Sequence, residues 1–471
     1  PATGRHWIYR PFTLENRGAS PLNELIPNPF NYADSAENGT GQAHLAFLKA
    51  RADSLQQMGQ LVQMQVHVAN KMLDQSPQGS ENKPYKPLEK PALFNDKEVR
   101  QATQTSMASL FGPEFNIYEG RHFQCLPSGD LQFVSRILSF SGEKHHFDRP
   151  VSMTAEFDVN PDAWYFRDSA FPSLPYTALM EITLQTCGFL SASIGTPMLF
   201  PDQDYFFRVL DGEAFVVSLP ASTSTTLTID VRLTRTRASK RAIAQDFEYS
   251  IRNEGQIMYR GNASAAYFVA SALNTQSGLD SSNPIPPWIE SPEAKQLPDT
   301  RISLSPPEGA LEYYHGDPQK PYCRLGHDQM DLIDEAVVIP DGGKTGQGYI
   351  YASRKNNPDA WFFPLHFNHD PVMPGSLGVE AVLQALQVYA IQQGLGQEFN
   401  SPHFALTTNQ SLVWKFRGQV LTPHKIVGLE VHITRIVRAN SSLILTGDAS
   451  VWTDSTRIYE IPNASITIKE G

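Results

Sequence analysis

The sequence has little cysteine, no excess of positive charge and no long apolar run. Its 471 residues include only three cysteines, Cys125, Cys187 and Cys323, which lie far apart. They form no CxxC pair, so their spacing excludes a disulfide framework and a zinc knuckle. Scattered thiols are typical of a reducing compartment, where cysteine acts as a small apolar residue. We therefore expect a cytoplasmic protein.

The charge balance and the hydropathy exclude two further classes of protein. Acidic residues outnumber basic ones by 49 to 38, and the net charge of −11 is spread along the chain. No nucleic-acid partner is expected, because such proteins need a basic surface. No membrane span is expected either, because no run of about 18 apolar residues occurs. The chain begins Pro1-Ala-Thr-Gly without a signal-peptide pattern, which suggests a piece of a longer polypeptide.

The composition divides the chain into four segments. Residues 1–92 are an N-terminal linker region that contains a long amphipathic helix from Ala43 to about Asp74. This helix is predicted either to pack on the chain's own surface or to dock neighbouring modules. Residues 93–270 and 307–471 each have the size of a compact domain. Residues 271–306 between them are rich in Pro and Ser and form a second linker.

The two domain-sized segments are copies of one another. Asn160-Pro-Asp-Ala-Trp164 in the first corresponds to Asn357-Pro-Asp-Ala-Trp361 in the second. A helix that carries Glu and Gln follows each block, and Glu181 corresponds to Glu380. Several separated matches in the same order are hard to obtain by chance. The chain is therefore predicted to contain a tandem duplication of one structural unit.

Each unit is predicted to be a single buried helix wrapped by antiparallel strands. The segments from Ala178 to about Ser193 and from Gly375 to about Gln393 are apolar almost all round, as in a helix surrounded by protein. Later segments such as Leu443 to Trp452 are short and rich in β-branched residues, which is typical of strands. The pattern predicts an α+β fold in which two such units pair side by side.

The second unit carries the residues suited to catalysis. His366 lies upstream of Pro374-Gly375, and Glu380 follows on the helix that begins there. The free N–H groups of the first helical turn form a site for a developing oxyanion. An imidazole, a carboxyl group and this site suit removal of a proton beside a thioester carbonyl with loss of a β-hydroxyl. No metal is needed, and His366 with His369 and Asp370 has poor ligand spacing.

The segment Trp361–Gln384 resembles the active-site segment of FabA-type 3-hydroxyacyl-ACP dehydratases. It most resembles the dehydratase modules of polyunsaturated fatty acid synthases, and the first unit resembles a degenerate member of the same family. The resemblance implies a double hot-dog fold and conversion of 3-hydroxyacyl-ACP to trans-2-enoyl-ACP. It implies no cofactor, since the phosphopantetheine arm of acyl carrier protein carries the substrate. Acyl carrier protein and other domains of the same synthase are the implied partners.

The resemblance also implies roles for individual residues. His366 would take the C2 proton, and the Gly375 N–H would bind the thioester oxygen. In this family the histidine of one subunit meets the carboxylate of the other. Carried over, His366 should meet Glu181 as the acid, with Glu380 as the alternative acid, while Glu380 should face Ser169, which replaces the histidine in the first unit. The FabA type has Asp at the position of Glu380, which weakens the expectation of isomerase activity.

Two other functions remain open at this stage. A hot-dog thioesterase would attack the carbonyl through an activated water, and a non-catalytic acyl-binding or structural module would explain the degenerate first unit. The Pro-Gly turn after a histidine favours the dehydratase, and the intact His366 argues against the module. A carrier-protein mouth could be formed by a basic group in the first unit, which is otherwise a solvated strand end: Arg232, Arg235, Arg237, Lys240 and Arg241.

Overall fold

The computed structural model describes residues 92–104, 108–219, 225–281, 283–305 and 323–471. The predicted amphipathic helix and its linker lie outside these residues, so the four-segment division stays a prediction. Within the described residues, no helix is long and apolar enough to cross a membrane. Cys125 and Cys187 are buried, as expected for thiols that act as small apolar side chains.

Among the described residues, the first unit contains two helices of more than two turns, three short helices and six strands. The helices are α1 (Asp96–Gln104), α2 (Ala108–Phe111), α3 (Trp164–Arg167), α4 (Tyr176–Ser193) and α5 (Ala270–Leu273). The strands are β1 (Arg136–Ser141), β2 (Val151–Asp158), β3 (Phe206–Val216), β4 (Thr226–Ala238), β5 (Ala242–Asn253) and β6 (Gln256–Phe268).

In the described part of the second unit there are one long helix, α6 (Gly375–Gln392), and eight strands. The strands are β7 (Thr300–Ser303), β8 (Glu335–Ile339), β9 (Tyr349–Lys355), β10 (Pro402–Leu406), β11 (Ser411–Phe416), β12 (Ile426–Ala439), β13 (Ser442–Thr453) and β14 (Thr456–Glu470). Strand β7 lies in the segment predicted as a linker, and it pairs with β8 at the edge of the sheet. Part of that segment therefore belongs to the second unit.

All strands belong to one antiparallel sheet. Its order is β1-β2-β4-β5-β6-β3-β11-β14-β13-β12-β9-β8-β7, and β10 pairs with β14. The first six strands come from the first unit and the others from the second, so the two halves join where β3 pairs with β11. Each half repeats the same arrangement around its own helix, which is the predicted double hot-dog fold.

The helices α4 and α6 form the centres of the two units. All eighteen residues of α4 are buried, and α6 is buried from Ser376 to Ala390. Their sequences are apolar on every side because the sheet surrounds them, as the pattern predicted. Pro175 and Pro374 precede the two helices, and neither helix start has a side-chain cap. The first-turn N–H groups of both helices therefore need another partner.

The duplicated tryptophans meet across the two units. The rings of Trp164 and Trp361 are 5.0 Å apart with an interplanar angle of 63°, an edge-to-face contact. Trp164 also donates from Nε1 to the carbonyl of Asp130 at 2.8 Å. This pair fixes the chain just before the segments that carry Ser169 and His366. The duplication therefore brings these two segments together at the interface between the units.

Candidate active site

A cavity at the junction of the two units contains the predicted site residues of both. The second unit contributes His366, Gly375 and Ser376, and the first contributes Glu181. The wall continues with residues from both units, among them Leu184, Gly188, Arg208, Phe416 and Tyr459. The structure therefore brings together the histidine, the glycine and the carboxylate that the sequence predicted from separate units.

The ring of His366 is held in the orientation that a general base requires. Its Nδ1 lies 2.9 Å from the carbonyl oxygen of Val372, and that oxygen can only accept a hydrogen bond. Nδ1 therefore carries the hydrogen, and Nε2 of the neutral ring has a lone pair. Burial lowers the pKa of His366 below its usual value, and the charge of Glu181 offsets part of this effect. The imidazole is consequently neutral at physiological pH.

The carboxylate of Glu181 is fixed by one donor from each unit. Ser376 of α6 donates its hydroxyl hydrogen to Oε1 at 2.6 Å, and Gln185 of α4 donates from Nε2 to Oε2 at 2.8 Å. Gln185 is itself fixed, because its Oε1 accepts from the N–H of Phe133 at 2.9 Å. Glu181 is only 5% exposed, so these bonds decide where its carboxyl group points.

Gly375 occupies a position that admits no larger residue without rearrangement. A β-carbon at Gly375 would lie 2.7 Å from Cε2 of Phe416. Phe416 packs against Tyr459, with the two rings 4.2 Å apart, so its ring has little room to move. The absence of a side chain leaves the first turn of α6 open to the cavity, where its N–H groups favour negative charge.

Glu380 points to the first unit, and its partner is the start of α4. Its Oε2 accepts from the N–H of Thr177 at 3.1 Å, and it is not among the residues that line the cavity. Burial raises the pKa of Glu380 to about 7, although the N–H groups of Thr177 and Tyr176 partly counter this. The side chain thus caps α4 in place of the missing side-chain cap.

Ser169 and Glu380 have different hydrogen-bond partners, and their facing one another stays a prediction. Ser169 is fully buried, and its Oγ accepts from the N–H of Phe171 at 3.0 Å. No hydrogen bond joins Ser169 to Glu380 in the part of the chain that the structure describes. Glu380 instead accepts a hydrogen bond from the N–H of Thr177. Thr177 lies on helix α4, whereas Ser169 lies on the loop that precedes this helix.

The corresponding site of the first unit is filled. Tyr176 stands where the second unit has Gly375, and it is 5% exposed. Its hydroxyl donates to the carbonyl of Ala214 at 3.1 Å, and its ring lies 5.9 Å from that of Tyr259. The side chain of Tyr176 fills the space that Gly375 leaves open in the second unit. The start of α4 is therefore buried. The first unit has therefore lost this half of the site as well as the histidine.

An ion pair between the units holds the loop that carries His366. Arg208 of β3 donates to both carboxylate oxygens of Asp370 at 2.6 and 2.7 Å, and both side chains are nearly buried. Arg208 also donates to the amide oxygen of Gln419. Within the loop, Phe367 and Asp370 exchange backbone hydrogen bonds. The first unit therefore fixes the loop of the second unit that carries His366.

The described residues that could hold a metal and the predicted basic group both lie outside the cavity. His369 is exposed, and the described residues whose donor atoms lie close enough to hold a metal are instead Asp168, His327 and Asp328. Both oxygens of Asp168 already accept from Arg167, at 2.6 and 3.0 Å. The predicted basic group does not line the cavity: Arg237 pairs with Asp246, and Arg232 with Glu248. Its role at the mouth stays a prediction.

Three residues of the site were not predicted from the sequence: Gln185, Arg208 and Ser376. Gln185 had a signal, because Glu and Gln recur four residues apart on both helices and such residues share a helix face. Arg208 and Ser376 had none, since each acts on a residue of the other unit.

Comparison with known proteins finds a family match in the second unit and a long relative. Residues 325–462, which lie in the second unit, match the family model of the FabA-like domain. The chain is 28% identical over 376 residues to a polyunsaturated fatty acid synthase polypeptide of Thraustochytrium sp.. That alignment covers 78% of this chain and 25% of the relative. The chain thus spans about a quarter of the length of that protein.

Solved structures with a similar arrangement include dehydratases and thioesterases. The dehydratase domain from the CurJ module of curacin polyketide synthase is 9% identical, with a TM-score of 0.39 over 71% of this chain and 96% of that one. The putative oleoyl thioesterase from Lactobacillus plantarum is 11% identical, with a TM-score of 0.36 over 68% and 96%. Similarities this low do not decide the chemistry.

Proposed function

We propose that this protein dehydrates 3-hydroxyacyl thioesters to trans-2-enoyl thioesters. The observation that carries the proposal is the meeting of His366 and Glu181 in one cavity beside the open start of α6. His366 has an unprotonated Nε2, and Glu181 is held by Ser376 and Gln185. A neutral base, a carboxyl group and an oxyanion site are the three parts that β-elimination next to a thioester requires.

In the proposed step, His366 Nε2 removes the C2 proton while the Gly375 N–H binds the thioester oxygen. The electron pair of the C2–H bond forms the C2–C3 double bond, and the C3–O bond breaks. Glu181, which must take up a proton from solvent before the step, gives that proton to the departing hydroxyl, which leaves as water. The imidazolium then loses its proton and the carboxylate regains one, so the protein returns to its starting state.

The carrier of the substrate is part of the proposal. We infer that no cofactor takes part and that the acyl group arrives on the phosphopantetheine arm of an acyl carrier protein. The relative named as part of a synthase is about four times longer than the aligned part, which supports a chain working beside other domains of the same synthase. Arg232, Arg235, Arg237, Lys240 and Arg241 remain the candidates for contact with an acidic carrier.

Whether a double-bond isomerisation follows dehydration is a separate question. The chain carries Glu, not Asp, at both helix positions, Glu181 and Glu380. The longer side chain places the carboxyl group differently against C2 and C4 of the substrate. Incubation with a 3-hydroxydecanoyl thioester, followed by chromatography of the product, separates trans-2-decenoyl from cis-3-decenoyl thioester. We expect the trans-2 product alone.

Hydration of a crotonyl thioester, followed by absorbance, tests the dehydratase directly. We expect His366→Ala and Glu181→Gln to lose about 10² to 10⁴ in kcat/KM. Glu380→Gln is the matched control, because it changes the corresponding residue of the other helix, and it should stay within about threefold of wild type. Full activity of His366→Ala would overturn the proposal. If Glu380→Gln were inactive and Glu181→Gln active, the acid would be Glu380 on helix α6. Release of a free thiol from the substrate would indicate a thioesterase.

A further inference from the structure

The cavity continues past the reacting groups along helix α4 of the first unit. Glu181, Leu184, Gln185 and Gly188 all line it. Residues at these spacings share one face of a helix. Gly188 follows Glu181 by seven residues, which is two helical turns, or about 10 Å along the axis. The cavity therefore has an arm that reaches well beyond Glu181 into the interior of the first unit.

Gly188 has no side chain on the face that lines this arm, and the amide of Gln124 packs directly against it. A β-carbon there would lie 2.7 Å from Nε2 of Gln124 and 3.5 Å from Cε1 of Phe207. The other walls are mostly apolar and include Leu126 and Cys125. Burial raises the pKa of the Cys125 thiol to about 11, so this wall is uncharged. An apolar arm of this kind favours a hydrocarbon chain over water.

A fixed amide borders the arm beside Gly188. Gln124 is 7% exposed and lines the cavity, and its Oε1 accepts from the hydroxyl of Tyr267 at 2.5 Å. Tyr267 is fully buried, so Gln124 is anchored from behind. A chain that reaches this point would have to displace a hydrogen-bonded amide, which costs free energy. The amide therefore sets a limit on length.

The second unit differs at the corresponding place. Counting seven residues from Glu380, as from Glu181, leads to Gln387 where the first unit has Gly188. Gln387 is 2% exposed, so its side chain fills space beside α6. On the second unit's side of the reacting groups, the packed rings of Phe416 and Tyr459 form the wall. The arm along α4 is thus a feature of the unit that lacks the histidine.

We propose that the acyl chain of the substrate lies along α4, in the arm bounded by Leu184, Gly188 and Phe207, and that Gly188 and Gln124 set the chain length the protein accepts. This inference rests on the proposed dehydratase function. It gives the first unit a second role beside its carboxylate: the unit without a histidine binds the tail of the substrate.

The test compares short and long substrates on the same full-length variants. Hydration of crotonyl and trans-2-decenoyl pantetheine thioesters gives kcat/KM for each, and their ratio is the readout. Gly188→Leu should lower the decenoyl-to-crotonyl ratio by at least about tenfold, because its side chain fills the arm. Gln387→Leu, the corresponding change on α6, should leave the ratio within about twofold of wild type. Leu184→Ala should widen the arm and raise the ratio for trans-2-hexadecenoyl over decenoyl.

The outcomes separate the two proposals. If wild type hydrates neither thioester, the dehydratase function fails. If wild type is active but Gly188→Leu lowers both values equally, the chain does not lie along α4 and this inference is overturned. Should Gly188→Leu fail to fold, as judged by thermal melting, the Leu184→Ala ratio decides: an unchanged preference for length overturns the inference, and a shift to longer chains supports it.

Discussion

Ser376 of the second unit donates a hydrogen bond of 2.6 Å to Glu181 of the first, and Glu380 of the second unit accepts one of 3.1 Å from the N–H of Thr177. Each helix carboxylate thus reaches the first turn of the other helix. The two contacts are related by the duplication, but they differ in chemistry. A hydroxyl holds Glu181 in the cavity, whereas a backbone N–H holds Glu380 as a helix cap. The duplicated glutamates have therefore taken different roles.

Removal of the Ser376 hydroxyl should reduce the rate with little effect on substrate binding. Glu181 would keep only Gln185 as its donor and would lose its fixed direction. We expect Ser376→Ala to lower kcat by about tenfold with KM nearly unchanged, as for loss of one orienting hydrogen bond. Thr177→Ala is the matched control, because Thr177 uses its backbone N–H and keeps it. A parallel fall in both variants would argue against a positioning role.

The pH dependence of the reaction should report the neutral state of His366. Its pKa lies below the usual 6.5, mainly because the ring is buried. A base must be unprotonated, so kcat/KM should fall only as the pH drops below about 6.5. Above this pH, protonation of His366 should no longer affect kcat/KM. The measurement is the kcat/KM profile from pH 5 to 8. An acid limb centred at or above pH 7 would contradict the assignment of the base.

The burial of Glu380 should make stability depend on pH in a definite direction. Its pKa is about 7 in the folded protein against 4.5 for the exposed group. The folded state therefore binds more protons than the unfolded state between these values, and the free energy of unfolding falls as the pH rises. In Glu380→Gln this contribution disappears. The stability of the variant relative to wild type should rise by on the order of 2–3 kcal/mol from pH 4.5 to pH 8.

Urea unfolding of both proteins at several pH values measures this difference. Other ionisable groups are common to the two proteins, so their contributions cancel in the comparison. The glutamine amide oxygen can still accept from the Thr177 N–H, which limits the loss of the helix cap. The difference in free energy of unfolding between Glu380→Gln and wild type could stay constant with pH, or it could shift in favour of wild type as the pH rises. Either result would contradict the raised pKa of Glu380.

Loss of the ion pair between Arg208 of the first unit and Asp370 of the second should lower kcat/KM, because Asp370 lies in the loop that carries His366. Both side chains are nearly buried, and Asp370 lies four residues after His366. We expect Arg208→Lys and Asp370→Asn each to lower kcat/KM by about tenfold, because a lysine cannot donate to both oxygens in the same geometry. The double variant should lose little more than either single variant.

The pair Arg417–Asp211 supplies the control for this cycle. It has the same two-bond geometry, at 2.7 and 3.0 Å, and is also partly buried. Asp211 and Arg417 lie outside the loop that carries His366. The corresponding changes, Arg417→Lys and Asp211→Asn, should lower thermal stability without a matching loss of kcat/KM. Equal losses of activity in both cycles would mean that Arg208 acts through stability alone.

The amino-acid pattern was sufficient for everything that depends on neighbours along the chain. It predicted the duplication, the two all-round apolar helices, and His366 and Gly375 on one path into a helix. Helices α4 and α6 begin and end within about two residues of the predicted limits. These features follow from local preferences, namely proline before a helix, apolar residues in its interior and β-branched residues in strands.

Contacts between the units could be decided only by the tertiary structure. Which glutamate lies beside His366 depends on the pairing of β3 with β11, which brings α4 against the loop of the second unit. The anchoring of Asp370 by Arg208 depends on the same junction. Local preference says nothing about side chains roughly 160 to 200 residues apart, whose positions follow from burial of the shared core. The sequence by itself determined the two buried helices and the path from His366 to Gly375, and the packing of the two halves of the sheet determined which side chains meet there.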